Sequence, residues 1–342
     1  MRKAIFIIAS IAVSALFLWL ALRDVPLADV VTSIQQADFG WIVFSALTIS
    51  AGMWLRGIRW YGLLDFKAPL IQVCHILNLG FLLNLLPLRI GEVARSLLVT
   101  RAGVPVVTAA TSVVLERMID TLLVVILLVI SITRVPNIPQ EVASTTTFFG
   151  VAVVTAFLVM VFFARFPSIG HQVLGLVERV LPFLKRFGLA KLFDQMLDGL
   201  KPLTHLRSAL YVIFWTLVSW GVSTLTLYSL VRALNITDVN NVPLDEGSRI
   251  LLTILGLTLA SFSIALPVSV AGVGPFQAAI RAAGEMAGAS PAGAVSLGFL
   301  FHGINIFGYA LWGIIGLLTL GVSLSEVMSR KKPDYQPVEN EA

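Results

Sequence analysis

Seven stretches of this 342-residue chain contain no Asp, Glu, Lys or Arg: residues 4–22, 39–55, 68–88, 142–164, 208–231, 250–280 and 286–325. A helix needs about 20 apolar residues to cross the hydrocarbon core, so most of these runs suit one crossing and the last two exceed one. Only 13% of the residues are charged, against about 25% in soluble domains, which excludes a soluble fold. Barrel strands alternate polar and apolar residues over about 10 positions, a pattern these runs lack. The expected fold is all-α, a polytopic helical membrane protein.

The first run follows Met1-Arg2-Lys3. Its apolar stretch exceeds the roughly 7–15 residues of a secretory signal, and residues 20–23 make a poor cleavage site, so it reads as a retained helix. The single cysteine, Cys74, excludes an intrachain disulfide. No His/Asp/Glu grouping has metal-ligand spacing, and neither Gly-x-Ser-x-Gly nor a Walker loop occurs, so no catalytic, cofactor or metal site is assigned.

A net charge of +5 would suggest nucleic acid in a soluble protein, but here the basic residues sit at span ends. Arg2 and Lys3, then Arg56, Arg59 and Lys67, then seven basic residues between 165 and 207, then Arg330 to Lys332, fall on one side by the positive-inside rule. That places both termini in the cytoplasm and the chain in the cell (inner) membrane, with no nucleic-acid partner. Trp60 and Tyr61 read as interface residues beside the topology signals Arg56 and Arg59.

A full crossing by 68–88, followed by crossings through 104–133 and 142–164, would put the basic loop outside. A re-entrant hairpin over about 68–101, turning at 87–91, restores it to the cytoplasm. Irregular backbone at membrane depth needs polar partners, which Asn78 and Asn84 can supply. In the second half, 250–266 is a clean helix, the stretch from Pro267 to Pro275 breaks it, and 276–287 resumes, giving a second hairpin over about 250–288 that enters from outside. The expectation is about six full spans plus two re-entrant hairpins. Two opposed broken segments also fit an inverted repeat with a midplane site, in which Leu86-Pro87 and Leu266-Pro267 align while the following residues do not.

One membrane domain thus covers 1–325. Its loop 166–207 carries Val173, Leu174, Val177 and Leu181, then Leu189, Leu192, Phe193, Met196, Leu197 and Leu200, at helical spacing. Two amphipathic helices can lie on an anionic inner surface, with Lys185, Arg186 and Lys191 near headgroups, or pack against the bundle. Residues 326–342 read as a disordered cytoplasmic tail.

Against this apolar background Arg89, Glu92 and Arg95 stand out, since a charged side chain in a membrane costs roughly 2.5–3.5 kcal/mol on insertion scales. Glu116, Arg117 and Asp120 form a second cluster, one helical turn long. If the clusters meet, they are formally neutral, as a structural ion-pair network would be. The functional reading is that guanidinium forks hold a phosphate while the carboxylates orient them. Gly272 and Gly274 precede a helix whose amides attract anions, although glycine at a tight turn needs no ligand. The candidate binding set is Asn84, Arg89, Gly91, Glu92, Arg95, Glu116, Arg117, Asp120, Gly272 and Gly274. His75 and His302 are packed side chains or proton relays; His171 and His205 belong to the loop.

At Pro87-x-Arg89-x-Gly91-Glu92-x-x-Arg95, Glu116-Arg117-x-x-Asp120 and the segment from Pro267 to Gly274, the chain resembles the flippase-like family that includes the transmembrane region of lysylphosphatidylglycerol synthases. The resemblance covers nearly the whole chain. It implies an all-helical domain with re-entrant hairpins that moves lipids with modified headgroups between leaflets. The family tends to carry Pro-Gly-Gly-x-Gly with a glutamate soon after, where this chain has Ala271, Gly272 and Gln277, which puts a cationic headgroup relying on that acid in doubt. The synthases add a soluble aminoacyl-transfer domain, and a chain ending at Ala342 is expected not to make that lipid alone.

The leading expectation is a translocase for an anionic or modified-headgroup lipid. Its partners would be lipids with phosphate headgroups, the anionic inner leaflet, and a second copy or a separate lipid-modifying enzyme. A membrane-embedded transferase using Asp120 or Glu116 as base, or a scaffold for a lipid-modifying enzyme, are the alternatives.

Overall fold

The computed structural model describes residues 2–86, 89–135, 140–180, 189–265, 269 and 271–322. Among these the chain is all-α, with an isolated bridge between Thr237 and Pro243. The helices are α1 (Arg2–Leu22), α2 (Leu27–Gln35), α3 (Phe39–Leu63), α4 (Leu70–Leu83), α5 (Ile90–Leu98), α6 (Val106–Ile132), α7 (Gln140–Arg165), α8 (Pro167–Val180), α9 (Leu189–Thr204), α10 (Leu206–Ala233), α11 (Glu246–Ala265), α12 (Pro275–Met286) and α13 (Pro291–Leu320). A short 3-10 turn, Val99–Ala102, follows α5.

The chain is a polytopic membrane protein. Five described segments are long and apolar enough to cross: α3, the 18 residues Phe148–Arg165 of α7, α10, α11 and α13; the pair formed by α1 and α2, bent by 79°, counts as a sixth where the two are taken as one broken span. Helix α6 has 27 residues, about 40 Å at 1.5 Å per residue, but carries Glu116, Arg117 and Asp120 midway. Helices α4, α5 and α12, with 14, 9 and 12 residues, are too short to cross a core of about 30 Å alone.

Helix ends follow local chemistry. Asp38 caps α3 by accepting from the Trp41 amide at 3.1 Å. Proline stands just before α4 and α6, and at the first position of α12 and α13, where its missing N–H and fixed φ suit a helix start. The two breaks start differently: α5 follows Arg89 at φ 50°, and α12 follows Gly274 at φ 94°. Pro87, Leu88, Leu266, Pro267, Val268 and Val270, on which the two turns and the repeat alignment depend, lie outside the described residues, as does the tail.

One buried cluster joins α3, α4, α5 and α6 around Trp60, Leu77, Leu79 and Leu115; another joins α10, α11, α12 and α13 around Leu227, Leu255, Phe276, Ile280 and Leu297. Helix α1 lies against the second break. Arg281 of α12 donates from Nη1 to the carbonyls of Leu20, Ala21 and Arg23 at 3.1, 3.0 and 2.7 Å, satisfying acceptors that the end of a helix leaves free. Through Val30, α2 packs on Val295 of α13.

In the basic loop, the end of α9 packs on α6: Leu200 is buried and Thr108 donates to the Gln195 carbonyl at 3.4 Å. Leu192 and Met196 of the same helix are exposed. Leu181, Lys185 and Arg186 lie outside the described residues, as do the side chains of Val177, Leu189 and Lys191.

Candidate functional site

Glu116 and Asp120, one turn apart on α6, face the same side of the helix, and two carboxylates there require cations. The structure supplies Arg59. Its Nη1 donates to Asp120 Oδ1 at 2.5 Å, and its Nη2 donates to Glu116 Oε1 at 2.6 Å and Asp120 Oδ2 at 3.1 Å. Arg59 is 1% exposed and Trp60 is fully buried, its indole N–H donating to Ser112 Oγ at 3.0 Å. The reading of Arg59 and Trp60 as interfacial topology markers is therefore corrected. Helix α3 does not stop at Leu55 but continues to Leu63, which carries both residues into the bundle. The apolar residues Gly62, Leu63 and Leu64 beyond Arg59 were the available signal in the sequence.

Arg95 completes this inner layer. Its Nη1 lies 2.7 Å from Glu116 Oε2, its guanidinium sits 5.1 Å above the Trp60 ring, and its side chain is buried. Arg95 Nε and Nη2 have no hydrogen-bond partner among the described residues.

The outer layer is looser. Glu92 Oε1 lies 2.9 Å from Arg117 Nε and accepts from Arg89 Nη1 at 3.3 Å. Arg89 also donates from Nη2 to the main-chain carbonyl of Ile264, at the end of α11, so it ties the first break to the second. Arg56 donates to Ser223 Oγ at 2.7 Å, with no carboxylate paired to it among the described residues. Asp120 accepts a further bond from the Trp220 indole at 2.9 Å. Five guanidiniums thus face three carboxylates, a formal excess of +2 where sequence reasoning counted a neutral set.

A cavity of about 230 Å³ lies between α3, α6, α10, α11, α13 and both breaks. Arg56, Arg89, Arg117 and Asp120 line it, together with Asn84, Ser223, Ser261, Asn305 and Tyr309, while Phe81, Leu257 and Phe276 form apolar wall. Arg59, Arg95 and Glu116 stand behind this wall rather than in it. Of the glycines singled out from the sequence, Gly272 lines the cavity, whereas Gly91 abuts Gly80 and Gly274 packs against Ser14 of α1. The Gly274 amide is already engaged, donating to Gln277 Oε1 at 2.8 Å.

With its oxygen committed to Gly274, Gln277 directs Nε2 at His302 Nδ1, 3.0 Å away, and His302 Nε2 lies 3.0 Å from the Ala271 carbonyl. That arrangement requires a neutral imidazole with its proton on Nε2. His302 is a packed brace of the second break, stacked 4.7 Å from Phe276. His75 packs edge-on to Trp54, and His171 pairs with Asp194 at 3.0 Å. Among the described residues no three His, Cys, Asp or Glu side chains converge as metal ligands.

No curated protein and no solved structure matches the chain. A family model described as the lysylphosphatidylglycerol synthase TM region matches residues 7–313, a span that contains all of the cavity wall and the ion-pair layers behind it. The chain belongs to the lysylphosphatidylglycerol synthase transmembrane-region family.

Proposed function

We propose that the protein moves a lipid with a phosphate headgroup between the leaflets of the cell membrane, its tails remaining in the bilayer while the headgroup passes through the central cavity. Family membership ties the chain to membrane lipids with lysylphosphatidylglycerol chemistry. The observation that carries the finer reading is the +2 excess at a cavity bounded by both broken segments, with Arg56 free of any described carboxylate and Arg89 held, among the described residues, by Glu92 and a carbonyl. Guanidiniums exposed to a cavity at membrane depth are costly, and an anionic headgroup offsets that cost.

In this reading α4–α5 and α11–α12 are hairpins entering from opposite faces, and both chain ends are cytoplasmic. A phosphate that takes Arg89 from the Ile264 carbonyl removes the bond between the breaks and lets them separate. Glu92 keeps Arg89 and Arg117 oriented while the cavity is empty, and Asp120, held by Arg59 and Trp220, sets the floor of the site.

The test is leaflet relocation of fluorescent anionic phospholipids in proteoliposomes. A hydrogen bond to a charged group contributes about 1.5–3 kcal/mol, and 1.4 kcal/mol is a factor of ten, so Arg89→Ala is expected to slow relocation roughly 10- to 100-fold at unchanged folding. Arg56→Gln should slow it by a smaller factor, and Glu92→Gln should also reduce it. Wild-type rates equal to those of empty vesicles across a panel of headgroups would overturn the proposal, and a lipid altered chemically instead of relocated would replace it with a transferase.

A further inference from the structure

A second hollow, of about 250 Å³, lies on the outer side of Arg117 between α5, α6 and α7. Val113, Val114 and Met118 of α6 and Val153 and Ala156 of α7 form its aliphatic walls, and its charged groups are Glu92 and Arg117. Val114 and Ala156 are exposed, and the neighbouring face of α7 bares Leu158 and Phe162, so the groove opens towards hydrocarbon. Arg117 and Thr121, one turn apart on α6, line both this groove and the central cavity. The two spaces therefore meet at one guanidinium.

That guanidinium is under-partnered. The Nε of Arg117 lies 2.9 Å from Glu92 without the alignment of a hydrogen bond, and its two Nη groups donate to no described residue. An arginine left in this state beside lipid is costly, whereas a phosphate oxygen would satisfy it bidentately. The same lipid would lay its chain along aliphatic walls already matched to hydrocarbon.

We infer that the groove between α6 and α7 holds an acyl chain of a phosphate-bearing lipid, and that the Glu92–Arg117 pair is the closure between this groove and the headgroup cavity. The phosphate competes with Glu92 for Arg117. When Glu92 yields, its Oε1 still accepts from Arg89 at 3.3 Å, so the exchange leaves no carboxylate unpaired. The route from bilayer to cavity then runs sideways through the α6–α7 face. This inference rests on the proposed translocation for its purpose, but chain binding is measurable without it.

The probe is phosphatidylglycerol with a diazirine in one acyl chain, in proteoliposomes of the full chain, compared with a diacylglycerol bearing the same chain and no phosphate. Photolabelling of Met118 and Ala156 is expected to be several-fold greater with the phosphatidylglycerol, and Arg117→Gln should abolish the difference. Leu158 and Phe162, on the lipid-bathed face, should label equally with both probes in both proteins. Equal labelling of Met118 and Ala156 by the two probes in the wild type overturns the groove. Ala156→Trp, which fills the groove from its open side, should remove the Met118 label and slow relocation. Relocation unchanged in that variant overturns the groove as the route while leaving translocation standing. Selective groove labelling without any lipid relocation by the wild type upholds the groove and overturns translocation.

Discussion

Arg59→Gln is expected to destabilise the protein by about 3–5 kcal/mol, the loss that follows when one partner of a buried ion pair is removed and the other stays charged. Both oxygens of Asp120 and one of Glu116 accept from this guanidinium, at distances of 2.5, 3.1 and 2.6 Å. Arg95 would still hold Glu116 and Trp220 would still hold Asp120, so the carboxylates are under-compensated rather than bare. Adding Asp120→Asn to Arg59→Gln should recover part of the loss, because it removes the charge left behind. Arg56→Gln, one turn earlier and bonded among the described residues to Ser223, should cost less than Arg59→Gln, about 1.5–3 kcal/mol. Thermal unfolding in detergent, followed by tryptophan fluorescence, ranks the variants. A single variant at Arg59 as stable as the wild type would show that Arg59 is not the counter-ion of this pair of carboxylates.

Gly91→Ala is the second large effect. A Cβ at position 91 would stand 1.9 Å from the Gly80 carbonyl oxygen and 2.6 Å from Asn84 Oδ1. The nearer atom is backbone and cannot turn aside, so α5 must be pushed away from α4. Overpacking of this kind typically costs 1–3 kcal/mol and occasionally more. The displacement also carries Arg89, Glu92 and Arg95 away from Ile264, Arg117 and Glu116, so relocation should be lost even where the variant still folds. Gly80→Ala makes the control: its Cβ meets the Gly91 carbonyl oxygen at 3.2 Å and should be tolerated far better. If Gly91→Ala and Gly80→Ala relocate lipid and unfold alike, the backbone contact between α4 and α5 does not position the arginines.

The spans were legible because hydrocarbon leaves no choice: a run of about 20 apolar residues must be buried or face lipid. The one-turn spacing of Glu116 and Asp120 was legible for a similar reason, since helical geometry is local. Arg59 was not. Its charge sits next to Lys67 and Arg56 in the sequence, where the positive-inside rule accounts for it, and only the packing of α3 on α6 reveals that it lies between two carboxylates. Gln277 was noted as a departure from an acidic family position; its bond to Gly274 is a local contact at the start of α12, but its bond to His302 depends on a fold-back of α12 against α13 that no local pattern encodes. The division of the arginines into a wall layer and a buried layer likewise belongs to tertiary structure: Arg89 and Arg95 are nearly two turns apart on one short segment, yet one meets the cavity and the other is buried over the Trp60 ring.

The anchoring of α1 by Arg281 has a consequence for the order in which the protein is made. The guanidinium that donates to the Arg23 carbonyl is encoded 258 residues later, and at 5–20 residues per second the ribosome needs roughly 10–50 s to deliver it. Val295, on which α2 packs, emerges later still. Throughout that interval the amino-terminal helix has neither of these partners, and the carbonyls at its end are left to water. Helix α1 is thus made long before the residues that hold its end, and nascent chains arrested before Arg281 should leave that end open to proteases that spare it in the finished protein.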